Sequence, residues 1–301
     1  MSWLDRYNKN KQKLIDANLY DSMQEHDACG VGFIASIDGK PNRRVVTSGI
    51  EALKAVWHRG AIDADGKTGD GAGIHIEIPK AFFEEEIKKT GHEMMQGDLG
   101  MGMIFLPRND YSALEKCRTI VESELIDHGY FIYGWRQVPV DTSVIGKKAN
   151  MTRPEIEQVM FVNNKERSEK EDLDKELFLI RRRIEKRILK IQISDFYICS
   201  LSFKSVIYKG LFLAEELEVF YPDLQDKNFV SSFAIFHQRY STNTFPSWAL
   251  AQPFRALAHN GEINTISGNS NWMRSHENRI ASELFGEDSE QVKPIIIRGS
   301  S

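Results

Sequence analysis

His26-Asp27-Ala28-Cys29-Gly30-Val31-Gly32-Phe33 joins a polar leader to the first strand-like run of the chain, and the role given to its cysteine decides the kind of fold that follows. Cys29 has two readings. A free cysteine is ordinarily a small buried hydrophobe. Cys117, in a helical Leu-Glu-Lys-Cys-Arg pattern, and Cys199, in a strand-like Tyr-Ile-Cys-Ser pattern, fit that description. Cys29 stands instead at a junction, followed by Gly30 and Gly32, which leave room for a substrate to approach the backbone. The second reading is therefore a nucleophile. A free thiol of pKa ~8.5 is only about 3% thiolate at pH 7 and needs a base, and no neighbour of Cys29 in the sequence is an obvious one. Cutting the chain before Cys29 would supply it. An α-amino group, pKa ~7.7–8.0, accepts the thiol proton and returns it to a leaving group, which a backbone amide nitrogen cannot do. On this reading residues 1–28 are a propeptide, residues 29–301 are the working domain, and the 301-residue chain is a precursor.

Outward from that junction, the leader mixes Lys, Asp and Asn. Leu14, Ile15 and Leu19 suggest a short amphipathic helix, and Lys9-Asn10-Lys11 a mobile start. From Gly30 the texture turns to short β-runs at 31–37, 73–78, 101–106, 130–138 and 158–162. Between them lie helical patterns at the 3.6-residue period, one through Ile50, Leu53, Ala55, Val56 and Trp57, another through Leu114, Ile120, Val121, Leu125 and Ile126. Residues 168–190 read as a charged helix with one apolar stripe, Leu173, Leu177, Ile180 and Ile184. Strands follow at 196–203, 206–208, 229–237 and 255–259, then a helical texture over 264–284. No repeat, low-complexity tract or Pro/Gly-rich linker divides the chain. Short strands meeting tight turns, with helices grouped outside them, predict an α+β fold in which two packed β-sheets lie between helices. A doubly wound βαβ sheet is the alternative, and it wants strict alternation and a Gly-rich βα turn. Lys67-Thr68-Gly69-Asp70-Gly71-Ala72-Gly73 is Gly-rich but precedes a strand. It reads as a tight turn that lets backbone approach the site, rather than as a phosphate loop.

Composition excludes several classes. The 41% hydrophobic content suffices for a packed core, and at this length most of the chain surface is buried on folding. With 39 basic against 43 acidic residues, net −4, no global field draws the chain to nucleic acid or anionic lipid. No apolar stretch approaches the ~20 residues that span a bilayer, and the first 28 residues lack the apolar core of a secretory signal. Three cysteines, few and odd in number, fit a reducing cytoplasm. The eight histidines show no metal-ligand spacing and the cysteines no Cys-x-x-Cys, so no protein metal site is expected. The basic run Arg181-Arg182-Arg183-Ile184-Glu185-Lys186-Arg187 is flanked by acids without interleaved aromatics and reads as a solvated helix face.

Two further segments carry chemistry. His237-Gln238-Arg239-Tyr240-Ser241-Thr242-Asn243 follows an apolar strand-like run. Arginine is the residue for bidentate grip of a carboxylate, so Arg239 is a candidate binding fork; an ordinary ion pair is its alternative. In His259-Asn260-Gly261-Glu262, Asn260-Gly261 fits a type I′ turn. It equally fits an oxyanion hole made of the Asn260 side-chain amide and the Gly261 N–H. A thiol, an arginine fork and an Asn-Gly donor pair are together the parts that hydrolysis of glutamine's side-chain amide needs.

At this point a family resemblance is specific. Cys29-Gly30-Val31-Gly32-Phe33, Trp57-His58-Arg59-Gly60-Ala61, the stretch from Asp65 to Gly73, Tyr240 to Trp248, and Ala258-His259-Asn260-Gly261-Glu262-Ile263-Asn264-Thr265 resemble the amino-terminal class II glutamine amidotransferase domain of the glutamate synthase large-subunit family. The likeness runs from about Leu19 onward and is least distinctive over 141–172. It implies the N-terminal-nucleophile hydrolase fold, a four-layer αββα sandwich of two mostly antiparallel sheets. It implies removal of a propeptide before Cys29. By motif match Arg239 would hold the glutamine α-carboxylate, with Thr242 and Asn243 beside it, and Asn260 and Gly261 would form the oxyanion hole. Arg59 matches a motif position with a substrate-binding or structural role.

The family's FMN barrel and iron–sulfur cluster would lie in a C-terminal part not present here, so no cofactor is expected in this chain. The sequence stops at Gly299-Ser300-Ser301, where the family continues Ser-Asp-Ser, and that further aspartate would bind the substrate α-amino group. Expected partners are L-glutamine, the remaining synthase domains, and either an FAD/NADPH small subunit or ferredoxin. Two other readings stand beside this one. A class II amidotransferase of amino-sugar or purine synthesis is disfavoured by Asp-Gly-Lys-Thr-Gly-Asp-Gly-Ala-Gly, and an inactive truncated precursor would fold without catalysing.

Overall fold

The structure is a computed structural model that describes residues 3–18, 20–21, 23, 30–163, 173–238, 246–255 and 265–296. In chain order its principal elements are helix α1 (Trp3–Asp16), strand β1 (Val31–Ala35), α2 (Arg43–Ala55), β2 (Ala72–Glu77), α3 (Lys80–Lys89), β3 (Asp98–Leu106), α4 (Tyr111–Asp127), β4 (Phe131–Gln137), α5 (Lys147–Met151), β5 (Glu155–Asn163), α6 (Leu173–Lys190), β6 (Tyr197–Ser202), β7 (Ser205–Gly210), α7 (Leu217–Phe220), β8 (Phe233–Gln238), α8 (Ile266–Glu277) and α9 (Ser289–Val292). The strands form two four-stranded sheets, in the orders β1-β8-β2-β7 and β4-β5-β3-β6. Every pairing among the described strands is antiparallel. The α+β expectation holds, and the doubly wound alternative does not.

β3 makes the layering plain, because its two faces belong to different cores. Met101, Met103 and Phe105 join the larger core with Ile74 and Val206 of the first sheet and Val46, Ile50 and Leu53 of α2. Ile104 and Leu106 turn the other way, onto Leu114, Cys117 and Val121 of α4 and Leu177, Ile180 and Ile184 of α6. The order of layers is therefore α4 with α6, second sheet, first sheet, α2, a sandwich with helices outside. The helices begin where the sequence provides caps. Asn42 accepts from Val45 N at 3.1 Å to start α2, and Asp110 accepts from Ala113 N at 2.9 Å to start α4. Each apolar side chain on the α6 stripe contributes about 1.5–3 kcal/mol on full burial.

Several boundaries differ from expectation, each for a local reason. The run at 229–237 becomes a strand only from Phe233. Before it, Ser231 Oγ takes the N–H of Glu77 at 2.9 Å and of Phe233 at 3.2 Å, a side-chain substitute for ladder bonds. The 31–37 run ends at Ala35, where Asp38 Oδ1 accepts from Ser36 Oγ and Lys40 N and closes a turn. The helical texture at 264–284 is α8 alone, ending at Glu277, whose buried carboxylate accepts the N–H of Ile296 at 2.8 Å. α1 runs unbroken through Lys9-Asn10-Lys11, which the sequence suggested would be mobile. Its polar side chains face outward, and Gln12 Nε2 donates to Asp16 one turn on at 2.8 Å. Leu19, residues 168–172, residues 256–259 and Asn264 lie outside the described residues.

The basic run on α6 is not a solvated face. Arg181 and Arg182 are buried and share Glu185, each at 2.6 Å. Arg182 Nη2 donates to Pro294 O at 2.6 Å and Arg183 Nε to Gln291 Oε1 at 2.5 Å. The run holds the 289–296 segment on the helix, a cover supplied from far along the chain that no local pattern announces.

Between the sheets lies a buried polar node. Arg136 on β4 donates to both oxygens of Asp223, at 2.7 and 2.8 Å, to Glu86 of α3 at 2.7 Å and to Gln158 of β5 at 2.9 Å. Gln158 Nε2 donates to Tyr208 OH, which in turn donates to Asp223. Burial alone would lower the Arg136 pKa, but its bonds to Asp223 and Glu86 hold it above the ordinary guanidinium value. Because each member serves the next, removing one leaves an uncompensated buried charge. We predict that Arg136→Met costs about 3–5 kcal/mol in urea melts, and that adding Asp223→Leu recovers part of it. A loss below about 1 kcal/mol would mean that the node is not buried in solution.

Candidate functional site

Cys29, Arg239, Thr242, Asn243, Asn260 and Gly261 lie outside the described residues; Arg59 lies within them. The described chain on either side of them is well defined, and it converges. β1 begins, β2 begins and β8 ends at one end of the first sheet, with Val31 opposite His237 and Ala72 opposite Gln238. Beyond the strand itself, Gln238 N donates to Gly30 O at 2.7 Å. Gly30 is the residue after Cys29 and Gln238 the residue before Arg239, so the two candidates are each one peptide from a bonded pair. The bond brings Gly30 and Gln238, remote in sequence, together.

The walls of this end come from three loops. After α2 the chain makes a single 3-10 turn, Trp57–Arg59, which lays Gly60 directly on the Gln238 side chain. A Cβ on Gly60 would meet Gln238 Nε2 at 2.1 Å, so any larger residue there has to displace the end of the Gln238 side chain. Gln238 is fully buried, and neither Nε2 nor Oε1 has a hydrogen-bond partner among the described residues. The Nε of Arg59 is buried and equally without one.

The second wall is the turn before β2. Asp65 Oδ1 accepts from Lys67 N at 3.0 Å and Thr68 N at 2.7 Å, while Oδ2 accepts from Thr68 Oγ1 at 2.6 Å. The Thr68 hydroxyl and these N–H groups hold the Asp65 carboxyl well below the usual carboxylate range. Ile62 bridges Gly69 across the turn. The segment is thus the expected tight turn, but what its glycines admit is protein. Gly71, at φ +124°, packs on Ala251, and Gly73 leaves room for Gln252 O.

That contact belongs to the third wall, residues 246–255, which lead to Asn260-Gly261. Trp248 is buried, and its indole N–H donates to Ala149 O at 3.0 Å. Lys209 of β7, fully buried, donates to Ala249 O at 2.8 Å, with its ammonium over the rings of Tyr197 at 4.6 Å and Phe254 at 5.0 Å. Arg255 donates to Ile198 O. On the far side, α8 starts after Thr265, whose O accepts from Asn269 N at 3.0 Å.

Sequence reasoning missed Gln238 and Lys209. The signal for both was a polar residue at an inward position of an apolar strand; for Gln238, alternation puts it on the face of Phe236 and Ala234. Among the described residues no cluster of His, Cys, Asp and Glu is arranged to hold a metal ion, and no helix is long and apolar enough to cross a membrane.

Comparison with known proteins adds an independent line. The family of class-II glutamine amidotransferases matches residues 29–301. The chain is 60% identical over 295 residues to the glutamate synthase [NADPH] large chain of Azospirillum brasilense, covering 98% of this chain and 19% of that protein. It is 42% identical to the chloroplastic ferredoxin-dependent glutamate synthase of Spinacia oleracea (92% and 17% covered). To the glutamate synthase [NADPH] large chain of Bacillus subtilis it is 40% identical (92% and 18% covered). The chain thus spans about a fifth of the length of the curated relatives it matches.

The other two thiols give a control. Burial pushes Cys117 up to about 11 and Cys199 up to about 12, leaving at most about 0.1% thiolate at pH 8. Brief alkylation of the native chain at that pH, followed by peptide mapping, should label Cys29 and leave Cys117 and Cys199 unmodified until the chain is unfolded. Label found mainly on Cys117 or Cys199 in the folded chain would overturn the assignment of Cys29 as the reactive thiol.

Proposed function

Since the chain belongs to the class-II glutamine amidotransferases, we propose that it hydrolyses the side-chain amide of L-glutamine to L-glutamate and ammonia, with Cys29 as nucleophile once residues 1–28 are removed. The observation that carries this reading is where the family match begins: at Cys29 itself, the residue whose chemistry asks for a free α-amine. The amine takes the thiol proton, and the thiolate adds to the amide carbon. The negative charge that develops on oxygen meets the Asn260 amide and the Gly261 N–H. The amine then returns the proton to nitrogen, ammonia leaves, and water cleaves the thioester by the same route. Arg239 grips the substrate α-carboxylate as a bidentate fork, with Thr242 and Asn243 beside it, and Arg59 completes the binding set from the turn that packs on Gln238.

The likeness to glutamate synthases extends the proposal to the destination of the ammonia: reductive amination of 2-oxoglutarate at a synthase site outside this chain, where FMN and an iron–sulfur cluster would act. The electron donor follows the partner, a small subunit carrying FAD and NADPH or ferredoxin. Identities of 60% and 40% to two NADPH-type chains bracket the 42% to ferredoxin-dependent ones, so identity alone does not separate these donors. A cytoplasmic setting is supported by the cysteine usage, with Cys117 and Cys199 both free thiols.

The test is glutamine hydrolysis itself, read as ammonia and glutamate in equal amounts, with two variants that separate recognition from turnover. Arg239→Lys retains charge but not the fork, and should raise KM by ten-fold or more. Asn260→Ala should lower kcat by ~10²–10³ with little change in ground-state binding. A folded Asn260→Ala chain with near-normal turnover would return Asn260-Gly261 to the role of a turn.

A further inference from the structure

Gln238 has no part in the chemistry above, yet it is the most unusual polar side chain in the described structure. It is fully buried, and both ends of its amide lack a partner. An unpaired buried amide is costly, and few native groups are left so. A second buried polar atom close by is in the complementary condition. Arg59 Nε, an obligate donor, has no acceptor among the described residues. The two side chains stem from adjoining backbone: Gly60, the neighbour of Arg59, rests on the Gln238 amide, and consecutive Cα atoms are only ~3.8 Å apart. An amide can also turn end for end without changing its shape, which presents Oε1 in place of Nε2. One acceptor and one donor, both sealed from solvent and borne by segments that touch at Gly60, satisfy each other if they meet.

We propose that Gln238 is a positioning residue: in the enzyme processed before Cys29, its Oε1 accepts from Arg59 Nε and sets the direction of the Arg59 guanidinium toward the glutamine site. The bond ties the turn after α2 to the end of β8, whose main chain already holds Gly30. The glycine at position 60 suits the same geometry, since a Cβ there would displace the end of the Gln238 side chain. The inference rests on the glutaminase reading and adds to it a residue that never touches substrate.

The experiment is a double-variant cycle with kinetics and thermal melts on the full chain, uncut and processed. Gln238→Met keeps the shape and removes the acceptor; Gln238→Glu keeps an acceptor at the same reach. In the processed enzyme Gln238→Met should raise KM about ten-fold or more with kcat little changed, the usual scale for a hydrogen bond to a charged group. Gln238→Glu should stay within about three-fold of the parent, and in an Arg59→Ala background Gln238→Met should cost less than about three-fold further. In the uncut chain, where the amide is unpaired, Gln238→Met should melt at the same temperature as the parent or higher; in the processed chain it should melt lower. Multiplying effects of Gln238→Met and Arg59→Ala, or equal losses for Met and Glu, overturn the proposal. So does a Gln238→Met chain that is destabilised or fails to fold before processing. A parent chain that does not hydrolyse glutamine overturns the functional reading, and the two melting comparisons then still decide whether the Gln238–Arg59 bond forms.

Discussion

The register of β1 on β8 is the constraint on which the rest depends. With Val31 opposite His237, and Gly30 O bonded to Gln238 N, the strand ends that adjoin the candidate thiol and the candidate arginine in the sequence are fixed side by side. A slip of one residue would turn every side chain of β1 to the opposite face. It would also move Gly32 from beneath the Phe236 ring, where no other residue has room. The register is thus enforced by packing inside the sheet, away from the chemistry that depends on it.

The rest of the sandwich holds that sheet end in place. α2 covers β1 and β8 and delivers the turn bearing Arg59 and Gly60. The Arg136–Asp223–Tyr208–Gln158 node ties the second sheet to β7, and β7 in turn supplies Lys209, which clamps the loop leading to Asn260-Gly261. Among the described residues, positive φ falls mainly in turns, with Gly134 in the bulge of β4 and Thr265 at the start of α8 as exceptions. A site of this kind gains its precision from what lies behind it.

Much of this was legible in the sequence. The short β-runs of the sequence fall on β1 to β8, because strand cores are dense in Val, Ile, Met and Phe, and the 3.6 period marks α2, α4 and α6. α3 was not legible: Phe82 and Phe83 are adjacent and only Ile87 continues them, too few apolar residues to draw a stripe. The cover over Arg182 and Arg183 was equally hidden, since it is supplied by residues 289–296. At the site the candidate nucleophile, Cys29, was proposed from a junction and a missing base. Gln238 and Lys209 escaped because a polar residue within a strand reads as an outward position until the neighbouring layer is known.

The central claim is that Cys29 acts with its own α-amine. Glutamine hydrolysis should be compared for the uncut chain, for a chain whose first residue is Cys29, and for one that keeps Ala28 ahead of it. The account predicts turnover only in the form that begins at Cys29. The form with Ala28 also has a free α-amine, displaced by one residue, and should be inactive. Equal turnover by the uncut chain would show that the thiol has another base, and would contradict the account.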